Sequence, residues 1–278
     1  MGSRRCFSVL LVSLVIIVGL GTSTAIVLDN GVFNTEDLPA NCNEAIHLAE
    51  SKAKSGIYKI RLPPPYGDSK AFYVNCLLDP SGGTAWTLIQ LRQDEFMDFF
   101  RGWEEYKNGF GNLNRNFFIG LDKLHALTAS QLHELWIELK DFDNVTKYAK
   151  YDSFAITDES QKYALSILGE YSGTAGDAML GVHDGAKFST RDQDNSGRGY
   201  NCAQLYKSGW WYSKHSCHRS NLNGLYLKGV TKSFADGIIW EPWHGYQYSL
   251  EYVHMAIRPK SLKNLIIKYW KCSPREEI

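Results

Sequence analysis

The chain has 278 residues, with 30 basic and 30 acidic side chains that give a formal net charge of +0. The chain therefore has no excess of positive charge that would attract nucleic acid or an anionic membrane surface. The charge balance favours a neutral target. The chain has eight Trp and 16 Tyr residues, which serve both large cores and carbohydrate or interface surfaces.

The N-terminal segment has the features of a secretory signal peptide. Arg4 and Arg5 precede an apolar run over residues 7–20, and the small residues Ser23 and Ala25 follow it. The run is shorter than the ~20 residues that a membrane span needs, so we predict cleavage after Ala25, with a signal anchor as the alternative. No later segment is long and apolar enough to span a bilayer. We therefore expect a secreted, extracellular protein with a signal peptide over residues 1–25.

A short polar segment and a first helix follow the predicted cleavage site. Residues 26–40 show neither heptads nor a Gly-X-Y repeat and are predicted to form a flexible arm. Asn41 and Glu44 have the spacing of a capping box, which predicts a short helix that ends before Gly56. Alternation over residues 58–62 then predicts a strand, which the prolines from position 63 onward stop.

The middle of the chain contains several extended segments. Residues 72–78 and 86–91 predict an antiparallel pair of strands across a Ser-Gly-Gly turn. Thr128 and Gln131 have capping-box spacing, which predicts a short helix over Leu132. Period-two patterns predict strands over residues 135–139 and 163–167. Short strands and helices without a βαβ rhythm indicate an α+β domain around an antiparallel sheet.

Six cysteines are present, and removal of Cys6 with the signal peptide leaves five. Four of them can pair in an oxidising compartment, which allows three connectivities. Pairing of neighbours, Cys42 with Cys76 and Cys202 with Cys217, is the simplest of these. Cys272 remains in the tail over residues 261–278, either as a free thiol or as an interchain disulfide that makes a homodimer or higher oligomer.

Asn144 begins an Asn-Val-Thr sequon directly after a predicted strand. In a secreted protein, an exposed turn with this sequence is a glycosylation acceptor, so we predict a glycan on Asn144.

Motifs of common enzymes are absent or incomplete. There is no Gly-x-Ser-x-Gly elbow, and the His133–Glu134 pair lacks the second histidine of a zinc protease. A zinc site made from His215, Cys217 and His218 is disfavoured, because in a secreted chain Cys217 pairs with Cys202. We therefore expect a protein that is not an enzyme.

The acidic loop before Cys202 has oxygen-bearing side chains at alternate positions. Asp192, Asp194 and Ser196 with Gly197 imitate the start of an EF-hand. The twelfth position is Ala203 rather than a bidentate Glu, so the EF-hand interpretation fails. A different calcium cage and a metal-free turn of Asx hydrogen bonds both remain open.

A series of motifs in order resembles a fibrinogen-related domain. The first half contains NCNEA, SGIYKI, FYVNC and FFRGWEEYKNGFGNL, and the second half contains FSTRDQDN, YNCAQLY, GWWYSKHSCHRSNLNG and FADGIIW. The resemblance covers residues 41–260 and is closest to ficolin and tachylectin-type lectins and to arthropod fibrinogen-related proteins. It implies a fibrinogen C-terminal-like fold, with an antiparallel sheet, short helices and a long loop-rich C-terminal binding subdomain. It also implies the two neighbour disulfides.

The resemblance further implies a pocket for an acetyl group, with aromatic walls and a cis peptide before Cys217. A non-proline cis bond costs about 3 kcal/mol and would aim a backbone N–H and an imidazole at the acetyl oxygen. The matching positions are Tyr206, Ser216, Cys217, His218, Phe234, Ala235 and Tyr246.

A calcium site beside this pocket is implied as well, but this chain departs from the pattern. The two metal-binding aspartates of the family match Asp194 and Ser196, and the carbonyls of Arg198 and Tyr200 would complete the cage. Loss of one carboxylate and the nearby Arg198 side chain both disfavour a hard cation. We expect calcium binding to be weak or absent unless Asp192 substitutes.

These observations predict a secreted lectin of innate immunity that binds N-acetylated sugars or other acetyl groups on microbial surfaces. The alternative is a receptor-binding or adhesion ligand of the angiopoietin-like or fibrinogen-like type, whose partner is a cell-surface receptor. Acetylated glycans are the partner in the first case, and recognition by several copies would strengthen a weak single-site affinity.

Overall fold

The structure, a computed structural model, describes residues 38–49, 53–62, 65, 71–79 and 82–260. All of these belong to the unit Thr35–Ile278, and the other unit, Met1–Asn34, lies outside the described residues. The predicted signal peptide, most of the predicted arm and the tail with Cys272 lie outside them too, so those predictions stay untested. Within the described ranges, no helix is long and apolar enough to cross a bilayer.

Short helices and short strands alternate along the described residues. The helices are α1 (Cys42–Leu48), α2 (Trp103–Asn108), α3 (Leu121–Ser130), α4 (Cys202–Leu205) and α5 (Glu241–His244). The strands are β1 (Gly56–Ile60), β2 (Phe72–Leu78), β3 (Ala85–Arg92), β4 (Phe110–Gly111), β5 (Phe117–Phe118), β6 (His133–Lys140), β7 (Thr146–Ile156), β8 (Leu165–Leu168), β9 (Tyr171–Gly173), β10 (Ser220–Asn221), β11 (Gly229–Val230), β12 (Ile239–Trp240), β13 (Tyr248–Ser249) and β14 (Tyr252–Pro259).

The main sheet is antiparallel and runs in the order β1-β2-β3-β14-β6-β7-β8, with β5 beside β3, β4 beside β5 and β9 beside β7. The late strand β14 lies between β3 and β6. Both halves of the chain therefore contribute to one sheet, which confirms the predicted α+β fold with an antiparallel sheet and short helices.

Strand β6 shows why the sequence pattern produces this sheet. Leu135, Ile137 and Leu139 are all 0% exposed, whereas Glu138 and Lys140 on the opposite face are half-buried. Alternate side chains of a strand point to opposite faces, so this pattern places one face on the core. The predicted strand is confirmed, as is the antiparallel pairing of β2 with β3.

The capping box at the start of α1 is also confirmed. The Asn41 side chain accepts a hydrogen bond from the Glu44 backbone N–H at 3.0 Å and donates to the Glu44 carboxylate at 3.1 Å. The helix ends at Leu48, well before Gly56.

One predicted helix is wrong, and one predicted strand is present but begins later than expected. Thr128 and Gln131 do not open a helix over Leu132, because Thr128 lies inside α3 and its hydroxyl donates to the Leu124 carbonyl at 2.9 Å. The apolar face of α3 decides the position of that helix, and a Thr-x-x-Gln spacing alone does not.

The second error concerns Tyr163, which precedes β8 rather than belonging to it. Its φ angle is +46°, and its N–H donates to the Asp158 carbonyl at 2.9 Å, so the chain turns there before the strand begins. Ile167 is 42% exposed whereas Leu165 is buried, and these two residues therefore do not share a buried face.

The region after β9 has little regular structure, as predicted for the loop-rich C-terminal subdomain. Residues 174–249 contain two-residue strands and four-residue helices, and they form two small sheets, β10 with β12 and β11 with β13. Trp210, Trp211 and Trp240 are almost completely buried and join this region to the hydrophobic core of the main sheet. The candidate site lies in these loops.

Candidate ligand-binding site

A disulfide between Cys202 and Cys217 joins two parts of this region, with a Cα–Cα distance of 5.9 Å. The second disulfide joins Cys42 to Cys76, so both predicted pairings are confirmed. We name residues 192–200 the aspartate loop and residues 213–217 the cysteine loop. Ser213 and Cys217 close the cysteine loop through two backbone hydrogen bonds of 2.7 and 3.1 Å.

An aromatic cluster surrounds His218, the residue that follows the cysteine loop. We define the cluster as Tyr206, Tyr212, His218, Phe234 and Tyr246. The His218 ring centroid lies 4.5 Å from that of Tyr206, 5.9 Å from that of Tyr212 and 5.9 Å from that of Tyr246. Phe234 extends the cluster outward, with its ring 5.2 Å from that of Tyr246. The fold thus brings together rings from segments far apart in sequence.

Buried polar contacts fix the backbone under these rings. Asn221 is 0% exposed, and its side-chain amide donates to the Tyr206 carbonyl at 3.0 Å. Its amide oxygen accepts from the Tyr212 hydroxyl at 3.3 Å. On the other side, the Ala235 N–H donates to the Tyr246 carbonyl at 2.9 Å, and the Tyr246 hydroxyl donates to the His218 carbonyl at 3.3 Å. Two ring hydroxyls of the cluster are therefore fixed, that of Tyr212 by the Asn221 side chain and that of Tyr246 by the His218 backbone.

A second buried histidine, His183, holds the chain directly after His218. Its Nε2 lies 3.2 Å from the backbone nitrogen of Arg219 and 3.3 Å from that of Ser220. Backbone N–H groups only donate, so Nε2 accepts, and Nδ1 must carry the proton that is donated to the Trp211 carbonyl at 2.7 Å. Burial lowers the pKa of His183 to about 4, which keeps this arrangement neutral.

His218 is the most unusual group of the cluster. It is 2% exposed, and neither ring nitrogen forms a hydrogen bond of normal geometry within the protein, although the Ala235 backbone interacts with the ring. Burial, followed by the nearby His183, lowers the pKa of His218 to about 3, although the Ala235 backbone acts in the opposite direction. A neutral imidazole offers one N–H donor and one acceptor nitrogen. Such a ring among aromatic side chains is suited to a small uncharged group.

The predicted pocket residues come together in the fold. Tyr206, His218, Phe234 and Tyr246 all belong to the aromatic cluster, and Phe234 is 61% exposed at its outer end. Three further predicted residues are adjacent: Ser216 is exposed, Cys217 is buried in the disulfide, and Ala235 is buried with a φ angle of +65°. Their contact with a ligand stays a prediction.

The aspartate loop forms hydrogen bonds of its own. The Asp194 carboxylate accepts from the Ser196 N–H at 2.9 Å, and the Ser196 hydroxyl lies 3.4 Å from the Arg198 nitrogen. Asp192 is occupied elsewhere, since its carboxylate accepts from the Trp103 N–H at 2.9 Å and from the Thr190 hydroxyl at 2.6 Å.

The donor set predicted for calcium is therefore poor. Asp194 supplies the only carboxylate among the four predicted ligands, and the charged Arg198 side chain lies in the same loop as Ser196 and Tyr200. Calcium takes six to eight oxygen ligands and prefers several carboxylates. The residues present do not fit a tightly held calcium ion. Across the described ranges, no cluster of three or more His, Cys, Asp or Glu side chains could hold a metal.

A cavity of about 350 Å³ adjoins both loops. It is bounded by Ser196 of the aspartate loop, by Ser213 and Lys214 of the cysteine loop, and by Tyr212 of the aromatic cluster.

Sequence reasoning missed three residues of the site, namely His183, Tyr212 and Asn221. Tyr212 and Asn221 lie in the GWWYSKHSCHRSNLNG motif, but neither is among the pocket positions that the resemblance implied. His183 stands in a GVHDG segment that carries no local signal.

Asn144 lies in the turn between β6 and β7, where it is exposed. Its φ angle is +62°, a left-handed conformation that Asn tolerates better than most residues. Its position is open to solvent, and its glycosylation stays a prediction.

Comparison with known sequences gives a match over most of the chain. The profile of the family described as "Fibrinogen beta and gamma chains, C-terminal globular domain" matches residues 38–260. Fibrinogen C domain-containing protein 1 of Macaca fascicularis is 43% identical over 217 residues, which cover 76% of this chain and 48% of that protein. The Mus musculus protein of the same name is 44% identical and covered over 46% of its length. The chain thus spans about half the length of the curated relatives it matches.

Solved structures with the same fold are also similar in sequence. The fibrinogen-like globe domain of human ANGPTL2 has a TM-score of 0.73 and 36% identity, over 80% of this chain and 100% of that one. The globe domain of human ANGPTL6 has a TM-score of 0.71 and 36% identity, over 80% and 97%. Lamprey fibrin D-dimer, complexed with the peptide ligand Gly-His-Arg-Pro-amide, has a TM-score of 0.73 and 31% identity, over 84% and 79%.

Proposed function

Because this chain belongs to the fibrinogen C-terminal domain family, we propose that it is an extracellular, non-enzymatic recognition protein that binds its partner through the aromatic cluster. The observation that carries the proposal is His218, a buried neutral imidazole with two unpartnered nitrogens among Tyr206, Tyr212 and Tyr246. Unpartnered buried polar groups cost free energy, and a ligand that supplies their hydrogen bonds would recover it.

A protein or peptide partner is the class that the comparisons favour. The lamprey fibrin D-dimer is described as complexed with a peptide ligand, and two ANGPTL globe domains share the fold at 36% identity. The partner would then be a cell-surface receptor or an adhesion protein. Phe234, at 61% exposure, would add apolar contact area at the outer end of the cluster.

An acetylated glycan is the second candidate, and the chemistry of the cluster favours it. The cluster offers ring faces and a neutral imidazole but no charged side chain, which suits a methyl group beside a carbonyl oxygen. The protein would then be a lectin for N-acetylated sugars on microbial surfaces, with a role in innate defence.

Binding of the secreted protein to cultured cells and to bacteria tests the proposal. Tyr206→Ala and Tyr246→Ala should each weaken binding by at least about tenfold, as expected for aromatic anchors at the centre of an interface. Tyr73→Ala is the matched control, because Tyr73 is a 58% exposed tyrosine on β2. Equal binding by all three variants would show that the aromatic cluster does not bind the partner.

Two treatments of the same cells separate the partner classes. If the partner is a protein, binding persists in excess N-acetylglucosamine and after enzymatic removal of surface glycans. If the partner is an acetylated glycan, both treatments abolish binding, and N-acetylglucosamine beads retain the protein.

Assembly through Cys272 is part of the proposal, since several copies would convert weak single-site binding into useful avidity. Cys272 lies outside the described residues. Non-reducing electrophoresis of the secreted protein should show a dimer or larger species that Cys272→Ser abolishes. A monomer in both samples would exclude covalent assembly.

A further inference from the structure

The side chain of Arg198 connects the aspartate loop to the cysteine loop. Its Nη1 donates a hydrogen bond of 2.9 Å to the Lys214 carbonyl, in the middle of the cysteine loop. The two loops are also in packing distance, because a Cβ on Gly197 would lie 3.9 Å from the Lys214 side chain. The residue whose charge disfavours calcium therefore makes a bond between the loops.

The same guanidinium lies close to the disulfide and the aromatic cluster. Its central carbon is 5.0 Å from the centre of the Tyr200 ring, a cation–π distance. The Tyr200 hydroxyl is 3.8 Å from Sγ of Cys217. Burial, followed by Tyr200, raises the pKa of Tyr206, whereas the charge of Arg198 acts in the opposite direction. Arg198 therefore acts electrostatically on a wall of the cluster.

We propose that the guanidinium of Arg198 replaces a bound cation in this chain, ties the aspartate loop to the cysteine loop, and so positions Cys217 and His218 without a metal. Serine at position 196 removes a carboxylate that a hard cation would need, and the arginine supplies a positive charge that is always present. The carbonyl of Lys214 is its anchor. Arg198 is thus a positioning residue that acts through the cysteine loop.

The inference rests on the proposed function only in treating the cysteine loop as part of the binding site. Its consequence is specific: the geometry of the loop, and any binding that depends on it, should not respond to calcium or to a chelator.

Hydrogen exchange at the Ser213 and Cys217 amides tests this proposal without any ligand, because these two N–H groups close the cysteine loop. In the unmodified protein, exchange should be the same with excess calcium and with chelator. Arg198→Ala should accelerate exchange at both amides about tenfold, the effect of losing one charge-assisted hydrogen bond. Arg198→Lys, which keeps a cation, should restore most of the protection.

Arg191→Ala is the matched control for charge, because Arg191 is a half-exposed arginine that contacts Phe100 and Glu105 instead. It should leave both amides unchanged. Exchange at Ile137 and Met255, paired in the centre of the main sheet, should stay unchanged in Arg198→Ala, which shows that the effect is local.

Three results would overturn the proposal: unchanged exchange in Arg198→Ala, protection in the unmodified protein that requires calcium, or Arg198→Lys behaving as Arg198→Ala. Binding to cells is measured on the same samples. Loss of cell binding at Tyr206→Ala concerns the proposed function, whereas the exchange rates concern Arg198 alone, so each can fail without the other.

Discussion

Acid should destabilise this protein through its buried histidines, and His183 allows the effect to be assigned to one residue. His183 is 0% exposed and holds the Arg219 and Ser220 N–H groups on its unprotonated Nε2. A proton on Nε2 would face two donors, so protonation must break both hydrogen bonds beside His218. The perturbation is a change of pH from 7 to 5, measured on the unmodified protein and on His183→Gln.

The size of the effect follows from the pKa of His183. In the folded chain this pKa is about 4, against about 6.5 in an unfolded chain. The folded pKa is depressed, so the stabilisation is fully present above about pH 6.5 and is lost as the pH falls toward 4. Between these limits the unfolded chain binds one more proton, which lowers the free energy of unfolding by about 1.4 kcal/mol per pH unit. At pH 5 the loss through His183 is about 2 kcal/mol.

Three other histidines act in the same direction, because burial lowers the pKa of His133 and His254 to about 4 and that of His218 to about 3. Each of them therefore adds to the loss of stability that acid causes through His183.

Urea unfolding at pH 7 and pH 5 measures these changes. His183→Gln should be less stable at pH 7, but its loss between pH 7 and 5 should be smaller than that of the unmodified protein by about 2 kcal/mol. His215→Gln, which replaces an exposed histidine of the cysteine loop, is the control for removal of an imidazole that does not hold backbone N–H groups. An identical loss in His183→Gln would refute the assignment to His183.

Other changes test the framework of the site. Replacing Cys202 and Cys217 together by Ser opens a crosslink between residues 15 apart and should lower the free energy of unfolding by about 3 kcal/mol in urea; a loss below about 0.5 kcal/mol would contradict this. Gly224→Ala should lower the free energy of unfolding by about 1–3 kcal/mol, because the new Cβ would lie 1.9 Å from the Gly237 carbonyl oxygen. Gly199→Ala is the control, because a Cβ there meets nothing within 4 Å. Equal stability of the two variants would contradict this prediction. Asn144→Gln should migrate faster than the unmodified secreted protein in electrophoresis, and equal mobility would show that Asn144 carries no glycan.

Local patterns predicted much of the sheet, because alternation and capping depend on neighbouring residues. The buried face of β6 and the Asn41 capping box follow directly from the sequence. The position of β14 between β3 and β6 does not, because its pairing joins residues more than 100 positions apart. The error at Thr128 has the same origin, since the packed face of α3 outweighs a local spacing.

Four of the five ring residues of the site, all except Tyr212, could be predicted because they stand at motif positions that resemble a known family. His183 and Asn221 could not, because both act on distant backbone groups. The ring of His183 accepts from N–H groups 36 and 37 positions along the chain, and the Asn221 amide reaches the carbonyl of Tyr206. Arg198 was expected to offer its carbonyl to calcium and to disfavour the ion with its side chain. The bond from that side chain to the Lys214 carbonyl becomes visible in the folded loops alone.

The most direct test of the central claim is nuclear magnetic resonance of the ring protons of Tyr206, His218 and Tyr246 during titration with two probes, N-acetylglucosamine and Gly-His-Arg-Pro-amide. The account predicts that at least one probe shifts these ring signals in a saturable manner and leaves those of Tyr73 unchanged. Shifts confined to residues outside the aromatic cluster, or no shift with either probe in a protein that still binds cells, would contradict it.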